Sequence, residues 1–192
     1  MISICFATNN KNKLQEVRSK IGNQFTILSL EDIGCQEELP ETQPTIEGNS
    51  AQKAQYVALK YKVNCFADDT GLLVDALDGE PGVYSARYAG PECSPEDNMN
   101  KLLKALKGIT NRKASFKTCI TLVLNDEQFQ FAGEVNGTIL TERHGEKGFG
   151  YDPIFQPEGY STSFAEMPME EKNTISHRAL AVAKLFDFLR TA

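Results

Sequence analysis

Ser115-Phe116-Lys117-Thr118-Cys119-Ile120-Thr121-Leu122-Val123-Leu124 is followed by Asn125-Asp126-Glu127 and then by a second run, Phe129 to Val135. Both runs favour β-structure and the residues between them favour a tight turn. They read as two antiparallel strands of a hairpin. Upstream the pattern differs. Ile2 to Ala7 reads as a strand. Asn10 to about Gly22 reads as a helix, with Leu14, Val17 and Ile21 on one face at helical spacing. Asn10 is placed to cap that helix and Gly22 to close it. Phe25 to Leu28 is a second strand, and Ile46 to Tyr61 a second helix carrying Ala51, Ala54, Val57 and Ala58. Strands and helices that alternate early, with a hairpin later, predict an α/β fold: a mixed central β-sheet flanked by helices.

The remaining chain fits this frame. Glu31 to Pro44 is acidic, holds Pro40 and Pro44, and reads as a loop. Cys65 to Ala67 and Leu72 to Val74 read as two short strands, Gly79-Glu80-Pro81-Gly82 as a turn, and Pro95 to about Leu106 as a helix with proline in its first turn. Gly145 to Gly159 is mostly loop. The last helix is expected from about Thr174 to Leu189, with Ile175, Val182, Phe186 and Leu189 as its buried stripe. No internal repeat or low-complexity tract interrupts the chain, so residues 1–192 are expected to form one domain.

Composition narrows the function. With 41% hydrophobic and 24% charged residues, the chain has the balance of an ordinary globular protein. Its net charge of -6 argues against binding a nucleic acid polymer, which needs clustered Lys and Arg. A free nucleotide is still within reach, given a few placed basic groups and a metal. No apolar run approaches the roughly 18–20 residues of a membrane span. The short apolar start, Met1 to Ala7, lacks the features of a signal peptide. Cys5, Cys35, Cys65, Cys93 and Cys119 are odd in number, widely spaced and form no Cys-x-x-Cys pair. They read as buried thiols of a cytoplasmic protein.

Four stretches carry groups suited to chemistry. Thr8-Asn9-Asn10-Lys11-Asn12-Lys13 lies between a predicted strand and a predicted helix, where open N–H groups, the helix dipole and lysine favour phosphate. A plain cap with a solvated basic turn would look the same. Asp68-Asp69-Thr70-Gly71 sets two carboxylates side by side after a buried strand. They repel unless a cation lies near, and oxygen ligands without His or Cys point to magnesium. A simple strand-end turn is the other reading. Glu37, Glu38 and Glu41 form an acidic loop, of which one member could reach such a metal if the loop folds over it; Lys53 on the next helix reads as a surface lysine.

Gly148-Phe149-Gly150-Tyr151-Asp152-Pro153 frees the backbone and flanks Gly150 with two aromatic rings, one of which could stack on a base. Two aromatics turned into the core would read alike. Lys172 stands just before the last helix, with His177 and Arg178 in its first turn. Basic groups there oppose the dipole, a local cost that suggests a function. The chain has only His144 and His177, so no histidine-rich metal site is expected.

Together these runs resemble the inosine and xanthosine triphosphate pyrophosphatase family, from Ala7 to about Leu189. The motifs follow the family's order: Thr8 to Lys13; Glu41-Thr42 then Asn49; Ala67-Asp68-Asp69-Thr70-Gly71-Leu72; Pro81-Gly82-Val83-Tyr84-Ser85-Ala86-Arg87-Tyr88; Gly148 to Phe155; Glu171-Lys172; and Ser176-His177-Arg178. The resemblance implies an elongated α/β fold of two lobes with an active-site cleft between them, a homodimer, and hydrolysis of a purine nucleoside triphosphate (dITP, ITP or XTP) to the monophosphate and pyrophosphate. It implies that Thr8, Asn9, Asn10 and Lys13 hold the phosphates with Lys53 near them, that Lys11 and Asn12 also bind substrate, and that Glu41 and Asp69 bind Mg2+. It makes Asp69 the proton acceptor and Thr70 a substrate contact. Phe149, Gly150, Tyr151, Asp152, Lys172, His177 and Arg178 would hold base and sugar. Two departures stand out: Asn10 replaces part of a glycine-asparagine pairing common in relatives, and the chain between Gly133 and Gly145 is short.

The residues support this chemistry on their own terms. Attack at the α-phosphate needs a neutralised phosphate chain and a base for the water. A carboxylate bound tightly to metal is a weak base, so Asp69's second oxygen, or a water beside the metal, takes the proton. Donors from Arg178, His177 or backbone N–H match a 6-oxo purine and are left unpaired against adenine. A kinase would need a second acceptor site and a glycine-rich phosphate loop, and neither is visible. A nucleotide sensor would not need Glu41, Asp68 and Asp69. A septum-protein-type pyrophosphatase shares the general design but is disfavoured by Ser176-His177-Arg178 and Gly148 to Pro153.

Overall fold

The computed structural model describes residues 2–20, 25–92 and 94–191, without the side chains of Asn12, Glu16, Ser19 and Lys20. The expectations for Ile21, Gly22 and Cys93, and for the Asn12 side chain, lie outside the described residues. Seven strands form one mixed sheet in the order β2-β1-β3-β5-β6-β7, with β4 paired to β3. The strands are β1 (Ile2–Phe6), β2 (Phe25–Leu28), β3 (Cys65–Val74), β4 (Pro81–Gly82), β5 (Lys113–Leu124), β6 (Glu127–Ile139) and β7 (Phe155–Pro157). The helices are α1 (Lys11–Lys20), α2 (Ile46–Tyr61), α3 (Pro95–Ala105), α4 (Met169–Ile175) and α5 (His177–Leu189).

Two compact units can be distinguished. The first comprises Met1–Asp69, Cys119–Ala132 and Ala181–Ala192; the second comprises Thr70–Thr118 and Gly133–Leu180.

In the first unit, β1 pairs in parallel with β2 (Ile2 opposite Phe25, Cys5 opposite Leu28) and with β3 (Cys5 opposite Cys65, Phe6 opposite Phe66). Side chains alternate across each strand. Ile4, Phe6 and Phe66 therefore pack with Val17 of α1 and with Val182, Leu185 and Phe186 of α5. Cys5, Ala7, Cys65 and Ala67 face the other way, onto Ala54 and Val57 of α2. Cys5, Cys35, Cys65 and Cys119 are buried and form no disulfide. The hairpin turns at Asn125 and Asp126, with φ of 50° and 67°. Asn and Asp tolerate that left-handed pair, which suits a two-residue hairpin loop.

In the second unit, the end of β3 pairs antiparallel with β4, Leu72 opposite Gly82. β6 pairs antiparallel with β7, Gly137 opposite Pro157. The core gathers Leu72, Leu102, Leu106, Phe116, Ile139, Tyr151, Ile154, Phe155 and Phe164. Ser94 caps α3 by accepting from the Asp97 amide at 3.2 Å, ahead of Pro95 in the first turn.

Two expectations need correction. The stretch Asp68-Asp69-Thr70-Gly71 is not a turn between two short strands: β3 runs unbroken from Cys65 to Val74. Pairing with β1 on its first half and β4 on its second outweighs the local turn chemistry. The last helix is also two helices, α4 and α5, parted at Ser176.

Candidate active site

β3 governs the carboxylates. Because consecutive strand residues point to opposite faces, Asp68 and Asp69 leave the strand on opposite sides. Asp68 follows the side of Phe66, towards α1. Both of its oxygens accept from Lys13 Nζ, at 3.0 and 2.8 Å, and the residue is only 2% exposed. Asp69 follows the side of Ala67, towards α2, where its Oδ1 lies 3.9 Å from Lys53 Nζ. Each carboxylate thus has a lysine beside it, Lys13 for Asp68 and Lys53 for Asp69.

The Thr8 to Lys13 loop forms the start of α1 as its sequence suggests. Thr8 Oγ1 accepts from the Asn10 amide at 3.2 Å, and Asn10 Oδ1 accepts from the Lys13 amide at 3.3 Å. That second bond is the N-cap geometry that satisfies an open helix amide. Asn9, Asn10 and Lys11 are exposed, and Lys13 is engaged by Asp68.

α2 assembles the other carboxylate pair. Its N-cap Thr45 accepts from the Gly48 amide at 3.0 Å. Asn49 Oδ1 accepts from the Gln43 amide at 2.9 Å; Gln52 Oε1 accepts from the Thr42 amide at 2.9 Å, and its Nε2 donates to the Thr42 hydroxyl at 2.8 Å. These bonds clamp the preceding loop to the helix and bring Glu41 onto Lys53 Nζ, which donates to Glu41 Oε1. Lys53 is a buried lysine, 8% exposed, and not the surface lysine its sequence position suggests. Glu41, Lys53 and Asp69 are therefore one cluster. Glu37 is apart from it. Hydrogen bonds from Lys60 and then Tyr61, at 2.5 and 2.6 Å, lower its pKa from 4.5 to about 2.

The second unit holds the basic and aromatic groups. Lys172, on α4, donates to Asp152 Oδ2 at 2.5 Å; the same oxygen accepts from the Phe149 amide at 2.7 Å. Gly148 adopts φ of +80°, and a Cβ there would run into the Asp152 carboxylate, so glycine lets the loop close on Asp152. The two aromatic residues separate. Tyr151 is buried, 4% exposed, and donates to the Ser85 carbonyl at 2.8 Å. Its hydroxyl pKa is raised by burial. Phe149 is 61% exposed, with Lys172 Nζ 5.0 Å and the Arg178 guanidinium 5.6 Å from its ring centre. Of these two, Phe149 offers a ring face for stacking, with two cations beside it.

Ser176 sets the start of α5. Its backbone is extended (φ -66°, ψ 149°), and its Oγ accepts from the Ala179 amide at 3.3 Å. His177 and Arg178, both buried, thus open the helix. His177 Nδ1 lies 2.6 Å from Thr118 Oγ1, which is itself 2.7 Å from Thr70 Oγ1.

Sequence reasoning missed Thr118, Gln52 and Ser85. Thr118 lies on an ordinary strand pattern, and nothing local marks it. Gln52 is one more polar residue on a helix. Ser85, whose Oγ accepts from the Leu72 amide at 2.9 Å and donates to the Gly82 carbonyl at 2.6 Å, lies in the Pro81 to Tyr88 run, where nothing local marks it. A groove of about 590 Å³ in the second unit, lined by Asp75, Lys113, Glu134, Gln156 and Tyr160 among others, contains none of the expected site residues.

Among the described residues no group of three or more His, Cys, Asp or Glu side chains is placed to hold a metal. The donor set of Glu41 and Asp69 still suits Mg2+. That ion is commonly held by one or two carboxylates, with substrate phosphate completing its shell.

Residues 4–188 match the model of the Ham1 family. The chain is 57% identical over 188 residues to a dITP/XTP pyrophosphatase of Flavobacterium johnsoniae, covering 98% of each chain. It is 51% identical over 193 residues to a dITP/XTP pyrophosphatase of Porphyromonas gingivalis, covering 100% of each. Among solved structures, the Ham1 protein of Staphylococcus aureus aligns with a TM-score of 0.94 at 38% identity, covering 98% of each chain. A HAM1 protein of Coxiella burnetii aligns with a TM-score of 0.95 at 33% identity, covering 100% of each.

Proposed function

The chain belongs to the Ham1 family, and from that membership we propose that it hydrolyses damaged purine nucleoside triphosphates, dITP, ITP or XTP, to the monophosphate and pyrophosphate. The observation that carries this reading is the cluster of Glu41 and Asp69 on the buried Lys53. Two carboxylates and a lysine are the groups that a metal-dependent attack on a phosphate chain requires. Glu41 and Asp69 would hold Mg2+, which would supply charge neutralisation on the phosphates. Lys53, Lys13 and the Thr8 to Asn12 loop hold the phosphates. Asp69 takes the proton of the attacking water as the new bond to the α-phosphorus forms and the bond to pyrophosphate breaks.

The second unit supplies groups for the base and sugar. Phe149 stacks on the base, and Lys172, His177 and Arg178 present donors to its edge. Asp152 fixes Lys172 and the Phe149 amide, and Tyr151 anchors the loop from below. Thr70 adds a hydroxyl contact. A 6-oxo purine meets those donors with an acceptor, whereas adenine brings an amino group and leaves them unpaired. The same reading makes the protein a cytoplasmic homodimer. Among the described residues no helix is long and apolar enough to cross a membrane.

The test is to incubate the protein with Mg2+ and each of dITP, XTP, dATP, dGTP and dTTP, and to measure released pyrophosphate. Selective release from dITP and XTP is expected, with kcat/KM at least about a hundredfold above dATP. Binding without release would favour a sensor, and release of single phosphate would place the protein in another hydrolase class.

A further inference from the structure

Thr118 is fully buried, and its single hydroxyl bridges two residues of the candidate site. Thr70 Oγ1 lies 2.7 Å away on one side, and His177 Nδ1 lies 2.6 Å away on the other. All three belong to the second unit. The Phe116 ring lies against the His177 ring, centres 4.8 Å apart and planes 24° apart, which holds the imidazole in its plane.

A hydroxyl has one proton to donate and two lone pairs, so a chain that spends the Thr118 proton on one of these two neighbours runs in one of two directions. In the first, Thr70 donates to Thr118, Thr118 donates to Nδ1, and the imidazole hydrogen sits on Nε2. In the second, Nδ1–H donates to Thr118, Thr118 donates to Thr70, and Nε2 is a bare acceptor. The contact of 2.6 Å between Thr118 and His177 is a close hydrogen bond in either direction. The 6-oxo acceptor of the proposed substrates calls for the first direction, which leaves Nε2 carrying the hydrogen. A charged ring, donating from both nitrogens, is opposed by the positive end of α5, where His177 is the first helical residue.

We propose that Thr118 is a positioning residue for base selection: it draws its own hydrogen bond from Thr70 and holds His177 in the Nε2–H tautomer, so that the ring presents a donor to the purine edge. This rests on the reading that His177 meets the base. A fixed Nε2–H matches the 6-oxo acceptor of hypoxanthine or xanthine and mismatches the amino group of adenine. Thr70, its proton committed to Thr118, offers the substrate acceptor lone pairs only.

The experiment is ring-15N NMR of the full chain labelled at histidine, joined to kinetics. There are two histidines, so a His144→Gln variant, altered only at an exposed side chain, assigns the His177 signals. The wild type and Thr118→Ser are expected to show Nε2–H with Nδ1 unprotonated. Thr118→Val is expected to show mixed tautomers. In the same series the ratio of kcat/KM for dITP over dATP should fall about tenfold or more in Thr118→Val and stay within about threefold in Thr118→Ser. A wild-type ring protonated on Nδ1 overturns the proposal, as does a Thr118→Val protein that keeps both the tautomer and the ratio. Should Thr118→Val fail to fold, the wild-type and Thr118→Ser spectra still decide the direction of the chain. Titration with dIMP separates the two layers. A shift at His177 Nε2 supports its contact with the base. No shift overturns that contact and the specificity role with it, while the tautomer of the ligand-free protein still judges the hydrogen-bond chain.

Discussion

At Lys53 one buried ammonium answers two carboxylates, Glu41 and Asp69. A lysine in that position keeps the pair together without a metal, and it is also a point charge suited to phosphate. Lys53→Met tests both roles. Its kcat/KM for dITP is expected to fall about a hundredfold, the scale of losing one charge-stabilising donor. Without the lysine, Glu41 and Asp69 repel, so added Mg2+ should raise the melting temperature of the variant more than that of the wild type. Wild-type turnover with an equal response to Mg2+ would remove Lys53 from the account. The residue types of this cluster were legible in the sequence, but their grouping was not. Glu41 and Lys53 meet because Asn49 and Gln52 clamp a loop onto α2, which no local pattern announces. Asp68 and Asp69 were legible as a pair; that they face apart depends on β3 continuing through them.

Elements were read well where periodicity is long and poorly where tertiary pairing decides. α2 and β2 have the bounds that the sequence suggests, and the hairpin turns where Asn125-Asp126 predicts. For β3 the sequence suggests two strands because Asp-Asp-Thr-Gly has turn chemistry. The break between α4 and α5 was missed because Ile175, Val182, Phe186 and Leu189 keep a helical spacing across it. Ser176 is the residue that parts the helices, and it does so by capping the second. Ser176→Ala is expected to cost about 1 kcal/mol by loss of the cap, measured by denaturant unfolding. It should also weaken dITP turnover more than the stability loss alone explains, because His177 and Arg178 take their places from that cap. Unchanged stability and turnover would show that the break is held by other contacts.

Across the whole molecule the mixed seven-stranded sheet and the family drawn from ordered motifs agree with what the chain is. Several weak local signals reinforced each other there: a polar helix start, paired acids, a glycine-aromatic loop and a His-Arg pair. Their order along the chain carried more than any one of them. What the order could not reveal was the buried wiring, in which Lys13 meets Asp68 and Thr118 joins Thr70 to His177. The proposed reaction turns on which bond water breaks. Hydrolysis of dITP in 18O-water with Mg2+, followed by mass spectrometry of both products, locates the point of attack. Attack at the α-phosphorus leaves one 18O in the deoxyinosine monophosphate and none in the pyrophosphate. Label in the pyrophosphate, or orthophosphate as the first product, would contradict it.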